Sequence, residues 1–286
     1  MALNAGIVWA VVVLIAYSFA DLFGKKVVLK FGYKRATALV SAISTVPFLI
    51  LYLAYPAQPI TEYSIELSAV AGIFYGVGFM LLYKALVTEQ TTNTFALSEF
   101  FKAWLVLFGA FIAGSVLGLG QWSGIALIFL GSFMVITTEN LHINKKLVYA
   151  LSGFICWAVL WTMMYYAIIN SGTYVPEGLI AAFFAVLSAI IVYAMFPDRK
   201  RAVAGHGEVR HWAGYAAIVG IAIGSGSLIF GFLIISKMLA QGAAIIALTP
   251  IIVAIASKRI YLDKLTTVQI AGILIAVFGA LVLAVL

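Results

Sequence analysis

Hydrophobic positions in this chain do not alternate with polar ones; they come in long runs. Ten apolar segments, near residues 5–23, 36–55, 67–86, 94–114, 121–138, 147–169, 177–196, 213–235, 243–260 and 266–286, are separated by short polar breaks. Each is close to the roughly 20 residues that a helix needs to cross the hydrocarbon core of a bilayer. Several breaks carry turn-forming residues: YPAQP after the second segment, NSGTYVPEG after the sixth and FPDRK after the seventh. Lipid offers backbone N–H and C=O groups no partner, so runs this long must pair their own groups and form helices. The expected fold is an all-α membrane protein with ten transmembrane helices. The longest polar stretch, about Pro197 to His211, is too short to fold as a soluble domain.

The segments also repeat. Trp9-Ala10-Val11 matches Trp157-Ala158-Val159, an offset of 148 residues. Gly72, Gly76 and Gly78 match Gly220, Gly224 and Gly226 at the same offset, and Gln121, Gly124 and Gly131 match Gln269, Gly272 and Gly279. Two units follow, 1–141 and 142–286, each with five segments. Five is odd, so the second unit must enter the membrane from the opposite face. The expectation is two inverted five-helix repeats about a pseudo-two-fold axis in the membrane plane. Such repeats are frequent in secondary transporters, whose substrate sites lie near the midplane between the halves. Duplication for stability alone is the plainer alternative. The patterns GIFYGVG and GIAIGSG place small residues at i and i+4, which lets helices approach closely in lipid. Gly124 with Gly131, and Gly272 with Gly279, form seams able to serve an internal contact or a homodimer.

Composition agrees with the pattern. The chain is 65% hydrophobic and 9% charged, against about a quarter charged in soluble domains, and its mean hydropathy is +1.15. A net charge of +7 could suggest nucleic acid, but the bases lie in short clusters between apolar runs, as membrane-flanking loops do. With no basic face carrying interleaved aromatics, no nucleic-acid partner is expected. Fifteen of the 17 basic residues fall in the odd-numbered connections; Lys237 lies in an even one and Lys102 within a segment. By the positive-inside rule the odd connections are cytoplasmic and both termini lie outside the cell membrane. The N-terminal stretch lacks a basic n-region and reads as a retained span, not a cleaved signal. Cys156, the one cysteine, allows no disulfide within the chain. His142, His206 and His211 fall in loops and read as solvated, so no metal site or cofactor is expected.

Within the fourth segment, FALSEFFKAW breaks the pattern by placing Glu99 and Lys102 three residues apart. Counting from Thr94 at about 1.5 Å per residue, Glu99 lies roughly 8 Å and Lys102 roughly 12 Å into the span. A charge at such depth costs about 2.5–3.5 kcal/mol on insertion scales, which makes it a functional candidate. The i, i+3 spacing lets the two pair. One reading is a self-satisfied ion pair that fixes helix packing. The other is that both face a water-filled cavity, where the ammonium holds a substrate carboxylate and the carboxylate holds a substrate ammonium or a coupling proton. A zwitterion such as an amino acid matches both charges.

Three stretches carry a family likeness. ALTPIIVAIASKRIYLDKLTTVQIAGILIAVFGALVL (Ala247–Leu283) resembles the last two helices of an EamA-type unit: a Thr-Pro helix, basic and acidic residues in a short turn, Gln, then a Gly-spaced helix. GIFYGVGFMLLYKAL resembles the third helix of such a unit, and YSFADLFGKKV the end of the first. Over its whole length the chain resembles the drug/metabolite transporter superfamily, EamA-type. The resemblance implies ten helices around a central cavity, lined by spans one, three, four, six, eight and nine, with five and ten at the periphery. It also implies secondary transport, often export, of a small polar metabolite, with protons or a counter-substrate as coupling partners. The charge count, not the family's customary orientation, sets the expected sidedness. Pro250 of the second repeat is the family's proline, and the first repeat has Glu99 and Lys102 in that region instead.

The substrate-binding candidates are Glu99 and Lys102, then Tyr17, Tyr75, Tyr83, Trp157, Trp161, Ser225 and Thr249 on spans the resemblance places around the cavity. Ser18, Tyr165, Tyr166 and Ser227 are weaker candidates of the same kind. Asp21 reads as a membrane-edge partner of Lys25, and Glu139, Glu177 and Lys237 as solvated residues at span ends. The chain has no GxxxxGK[ST] phosphate loop, no GxSxG and no HExxH, so neither ATP use nor an intramembrane enzyme is expected. A small-molecule substrate and membrane lipid are the expected partners. The alternative to a transporter is a channel or a lipid scramblase.

Overall fold

The structure, a computed structural model, describes residues 2–55, 60–88, 98–137, 147–195, 206–260 and 266–285. They form the helices α1 (Ala2–Phe31), α2 (Tyr33–Ala54), α3 (Glu62–Thr88), α4 (Ser98–Phe111), α5 (Leu119–Thr137), α6 (Leu147–Ser171), α7 (Val175–Met195), α8 (His206–Ile235), α9 (Leu239–Ile246), α10 (Thr249–Ile260) and α11 (Thr267–Val285). The helices α9 and α10 follow one another in the ninth apolar segment, so the all-α membrane fold is as expected. Among the described residues, α1, α2, α3, α6, α7 and α8 are long and apolar enough to cross a membrane, and the others are shorter apolar helices. Glu139, His142, Lys145, Lys146, Arg199, Lys200, Arg201 and Lys264 lie outside the described residues, as do the side chains of Glu99, His206, His211, Lys258 and Arg259.

Helix α1 continues past residue 23, where the apolar pattern ends, to Phe31. Its lysines permit this because a lysine stem can lie along apolar surface while the ammonium reaches outward. The Lys26 ammonium sits 5.8 Å from the ring centroids of both Phe23 and Tyr215. The helix stops at Gly32, whose φ of 78° is open to glycine at little cost. Helix α6 stops in the same manner at Gly172, with φ 74°. In each case the glycine N–H donates to the carbonyl four residues back, Val28 at 2.9 Å and Ile168 at 2.7 Å.

The most extensive packing joins α5 to α11, α3 to α6, α1 to α8, α3 to α7, α2 to α8, α2 to α7 and α4 to α9. Replacing each span by the one five spans away carries this set of pairings into itself. Glycines set the closest approaches. A Cβ on Gly124 would lie 2.8 Å from the Gly279 carbonyl oxygen, and one on Gly131 would overlap the Gly272 carbonyl. The two glycine seams therefore close on each other within the chain. Gly72 and Gly76 seat α3 against α7 at Ala181 and Ala185, while Gly220 and Gly224 seat α8 against α2 at Val40 and Ser44.

Two polar groups depart from the sequence expectation. Asp21 falls well inside α1 rather than at its end. Glu177, expected to be solvated, is fully buried, and its carboxylate accepts from the Thr173 hydroxyl at 2.7 Å. It lies in the first turn of α7, where the helix dipole favours negative charge. Lys237 is exposed, as expected for a residue between spans.

Pro250 explains the division of span nine. Without an N–H it cannot pair with the carbonyl of Ile246, four residues back. That carbonyl instead accepts from the Thr249 hydroxyl at 2.6 Å. The next carbonyl, Ala247, accepts from the Ser132 hydroxyl of α5 at 3.1 Å. Side chains thus satisfy the backbone groups released by a break inside lipid. The preceding helix, α9, is buried along its whole length.

Candidate functional site

Six spans surround a small central cavity of about 60 Å³. Helical spacing explains which residues reach it. Tyr17, Ala20 and Asp21 share one face of α1, and Tyr75 and Phe79 one face of α3. Phe101, Lys102 and Leu105 come from α4; Trp157, Leu160 and Trp161 from α6; Ile223, Ser227 and Phe230 from α8. Ala243 and Ile246 of α9 and Thr249 of α10 complete the lining, so the broken span ends on the cavity. These are the spans that the family resemblance implies, with α5 and α11 paired outside them.

The wall is mainly aromatic. The Tyr75 and Phe79 rings meet edge-on at 4.9 Å, as do Trp161 and Phe230 at 4.3 Å, while Phe79 and Trp157 lie tilted at 5.0 Å. Polar groups are few and distinct: the Asp21 carboxylate, the Lys102 ammonium and the hydroxyls of Tyr17, Tyr75, Ser227 and Thr249. Tyr17 and Ser227 are hydrogen-bonded through their hydroxyls at 3.2 Å. Lys102 is 6% exposed, which sets its charge in surroundings of low polarity. The Trp157 Nε1–H is buried and has no hydrogen-bond partner among the described residues. It packs against Gly78 of α3, where a Cβ would lie 2.9 Å from it.

Of the residues singled out in the sequence, Lys102, Tyr17, Tyr75, Trp157, Trp161 and Thr249 come together on this cavity. Tyr83 does not line it. It is buried one turn beyond Phe79, against which its ring packs at 5.5 Å, and its hydroxyl has no partner among the described residues. Ser225 is off the lining, and Ser227, two residues on, takes the place on the cavity face of α8. Glu99 lies in α4, with its side chain outside the described residues. Asp21 is the residue the sequence reading undervalued. Its i+4 spacing from Tyr17 was the available signal, and the misplaced end of the first span hid it. Among the described residues no cluster of metal-ligating side chains occurs.

Residues 4–137 match the model of the EamA-like transporter family. No curated protein sequence matches the chain. A solved crystal structure, described only as that of a protein, superposes on 97% of this chain and 95% of its own with a TM-score of 0.72 at 15% identity. At that identity the likeness bears on fold alone, and it extends the agreement across the second half that the family model leaves unmatched. The first half of the chain, residues 4–137, is thus that of the EamA-like transporter family, within the drug/metabolite transporter superfamily.

Proposed function

We propose that this integral membrane protein is a secondary transporter, working as an exporter, for a small zwitterionic metabolite with an apolar body, such as an amino acid. The observation that carries this reading is the pairing of one acid and one base, Asp21 and Lys102, on an otherwise aromatic cavity among six spans. Lys102 holds the substrate carboxylate. Asp21 holds the substrate ammonium. The aromatic wall takes the apolar body and adds cation–π attraction for the ammonium, about 2 kcal/mol when desolvated.

Transport follows from rocking one five-helix half, 1–141, against the other, 142–286, so that the cavity opens to alternate faces. The exchange of helix pairings between the halves supports this, since each half presents the other with the same surfaces. Movement is coupled to protons or to a counter-substrate, and the base-rich connections face the cytoplasm with both termini outside.

A thermal-shift screen on purified protein tests the substrate class. A zwitterion present at about 100 times its Kd stabilises the fold by about 2.7 kcal/mol. Amino acids with apolar side chains are expected to raise Tm, and analogues lacking either charge to raise it much less. Equal shifts from singly charged analogues would sink the two-charge reading. Conductance without saturation, or lipid movement in liposomes without solute, would point instead to a channel or scramblase.

A further inference from the structure

Three spaces lie in succession through the molecule. The central cavity shares Tyr75, Trp161 and Ser227 with a smaller space between α2, α6 and α7, which Ser44, Phe48 and Tyr174 also line. Tyr174 in turn borders a vestibule at the end of the bundle where residues 172–174 join α6 to α7. One side chain, Tyr174, is therefore common to the vestibule and the middle space.

That side chain is held shut. The Tyr174 hydroxyl donates to the Ser227 carbonyl at 2.6 Å, and its ring meets Phe48 edge-on at 5.8 Å. Both rings are 4% exposed. Each lies on bare backbone: a Cβ on Gly231 would overlap the Tyr174 ring, and one on Gly178 the Phe48 ring. The two glycines give the rings room to seat fully across the passage. Behind Tyr174 the chain is pinned at Gly172, with φ 74°, and by the Thr173 hydroxyl on the buried Glu177 carboxylate. Ser227 bonds Tyr174 through its carbonyl and Tyr17 through its hydroxyl, so one residue touches both the closure and the cavity.

We propose that the middle space is a transit subsite for the substrate and that Tyr174, with Phe48, is the gate separating it from the vestibule. Its lining suits an apolar zwitterion in transit: hydroxyls from Ser44, Tyr75 and Ser227 beside the apolar faces of Phe48 and Trp161. What passes rests on the transport reading above; the closure does not, and can be measured without a substrate.

The test places a single thiol beyond the gate, Ser44→Cys in a Cys156→Ala background, and follows its reaction with a membrane-impermeant thiol reagent. The reagent is applied to whole cells and, separately, to inside-out vesicles, so that both faces are sampled whichever way the protein is inserted. With Tyr174 in place the thiol reacts slowly from the vestibule face. Tyr174→Ala is expected to speed that reaction about tenfold or more, the effect of shifting the closed state by about 1.4 kcal/mol. Phe48→Ala acts in the same direction to a smaller extent. Tyr174→Phe keeps the ring, loses the hydrogen bond of about 1 kcal/mol and gives about a fivefold rise; it carries the test should the alanine variant fail to fold. An unchanged rate in the variants, or a rise that is equal from both faces, overturns the gate. If no zwitterion stabilises the protein and Tyr174→Ala still opens one face, the gate survives and the substrate reading falls; the converse result spares the substrate reading alone.

Discussion

Spans four and nine hold corresponding places, 148 residues apart, and border the same cavity in different ways. In span nine Pro250 divides the helix, and Thr249 and Ser132 satisfy the carbonyls that the division releases. In span four the matching position is Lys102, and the residues matching the break, 99 and 100, lie within α4. Phe101 and Thr249, also matched, both reach the cavity. One half thus contributes a buried charge on regular helix, and the other a hydroxyl at a helix break. A strictly symmetric cavity would present the same chemistry twice. This one presents a cation on one side only, so under the proposed function a substrate with two unlike ends would bind in a single orientation. On that proposal the two five-span units supply the scaffold, and the difference between spans four and nine supplies the selectivity.

The largest effect is expected from removing the charge. Lys102→Met keeps the length of the side chain and takes away its cation, so saturable uptake into proteoliposomes should fall about 100-fold, as for loss of a charge-assisted hydrogen bond of up to ~3 kcal/mol. Burying lysine in a span costs about 2.5–3.5 kcal/mol on insertion scales, so Tm should hold or rise. A large fall in Tm with normal uptake would mean that Lys102 serves packing. Asp21→Asn should act on the opposite end of the substrate, weakening zwitterions while leaving carboxylates without an ammonium unaffected. Equal loss for both ligands would remove Asp21 from ammonium binding.

The next effect concerns the break. Pro250→Ala returns an N–H to the backbone and lets Ile246 pair along the helix. Pro250 stands in the first turn of α10, where proline is tolerated, so the gain is that of one restored backbone hydrogen bond, about 1 kcal/mol, and the variant should melt slightly higher. Straightening the span withdraws Thr249 from the cavity, and uptake should fall about tenfold, a change of about 1.4 kcal/mol in transition-state binding. Unchanged uptake with a higher Tm would mean that the division is tolerated and not used.

Much of this was legible in the residues and some was not, for identifiable reasons. Segment lengths, the 148-residue offset and the glycine spacings depend on local pattern, and all ten spans correspond to apolar helices found among the described residues or to the pair α9 and α10. Hydropathy reads span nine as one helix despite Pro250, and neither its break nor the repair by Ser132 is legible, because Ser132 belongs to α5 and meets Ala247 only through packing. Asp21 was hidden by the lysines after it: hydropathy ended the first span at residue 23, while helix and burial continued to Phe31. Glu177 was misjudged for the opposite reason. It stands at a span end, where solvation is usual, but the connection through Thr173 and Tyr174 folds over it. Ser225 and Ser227 differ by two residues, about 200° around a helix, and which faces inward depends on how α8 sits against α1 and α2, a matter of packing that no single-span pattern records.

The smallest effect sharpens the comparison most. Thr249→Val preserves shape and removes the hydroxyl, leaving the Ile246 carbonyl buried and unpaired at a cost of about 1–3 kcal/mol. The same substitution in the Pro250→Ala background should cost almost nothing, because the new N–H at position 250 already serves that carbonyl. The two changes are therefore non-additive, with a coupling of about 1–2 kcal/mol measurable by a double-mutant cycle in Tm or denaturant midpoint. In span four the parallel pair, Phe101→Val with Lys102→Met, should show no such backbone coupling, since no proline there releases a carbonyl for residue 101 to satisfy. Coupling of similar size in both spans would trace the effect to general packing around the cavity. Coupling in span nine alone would assign it to the proline, and would separate the half that bends its backbone from the half that carries the charge.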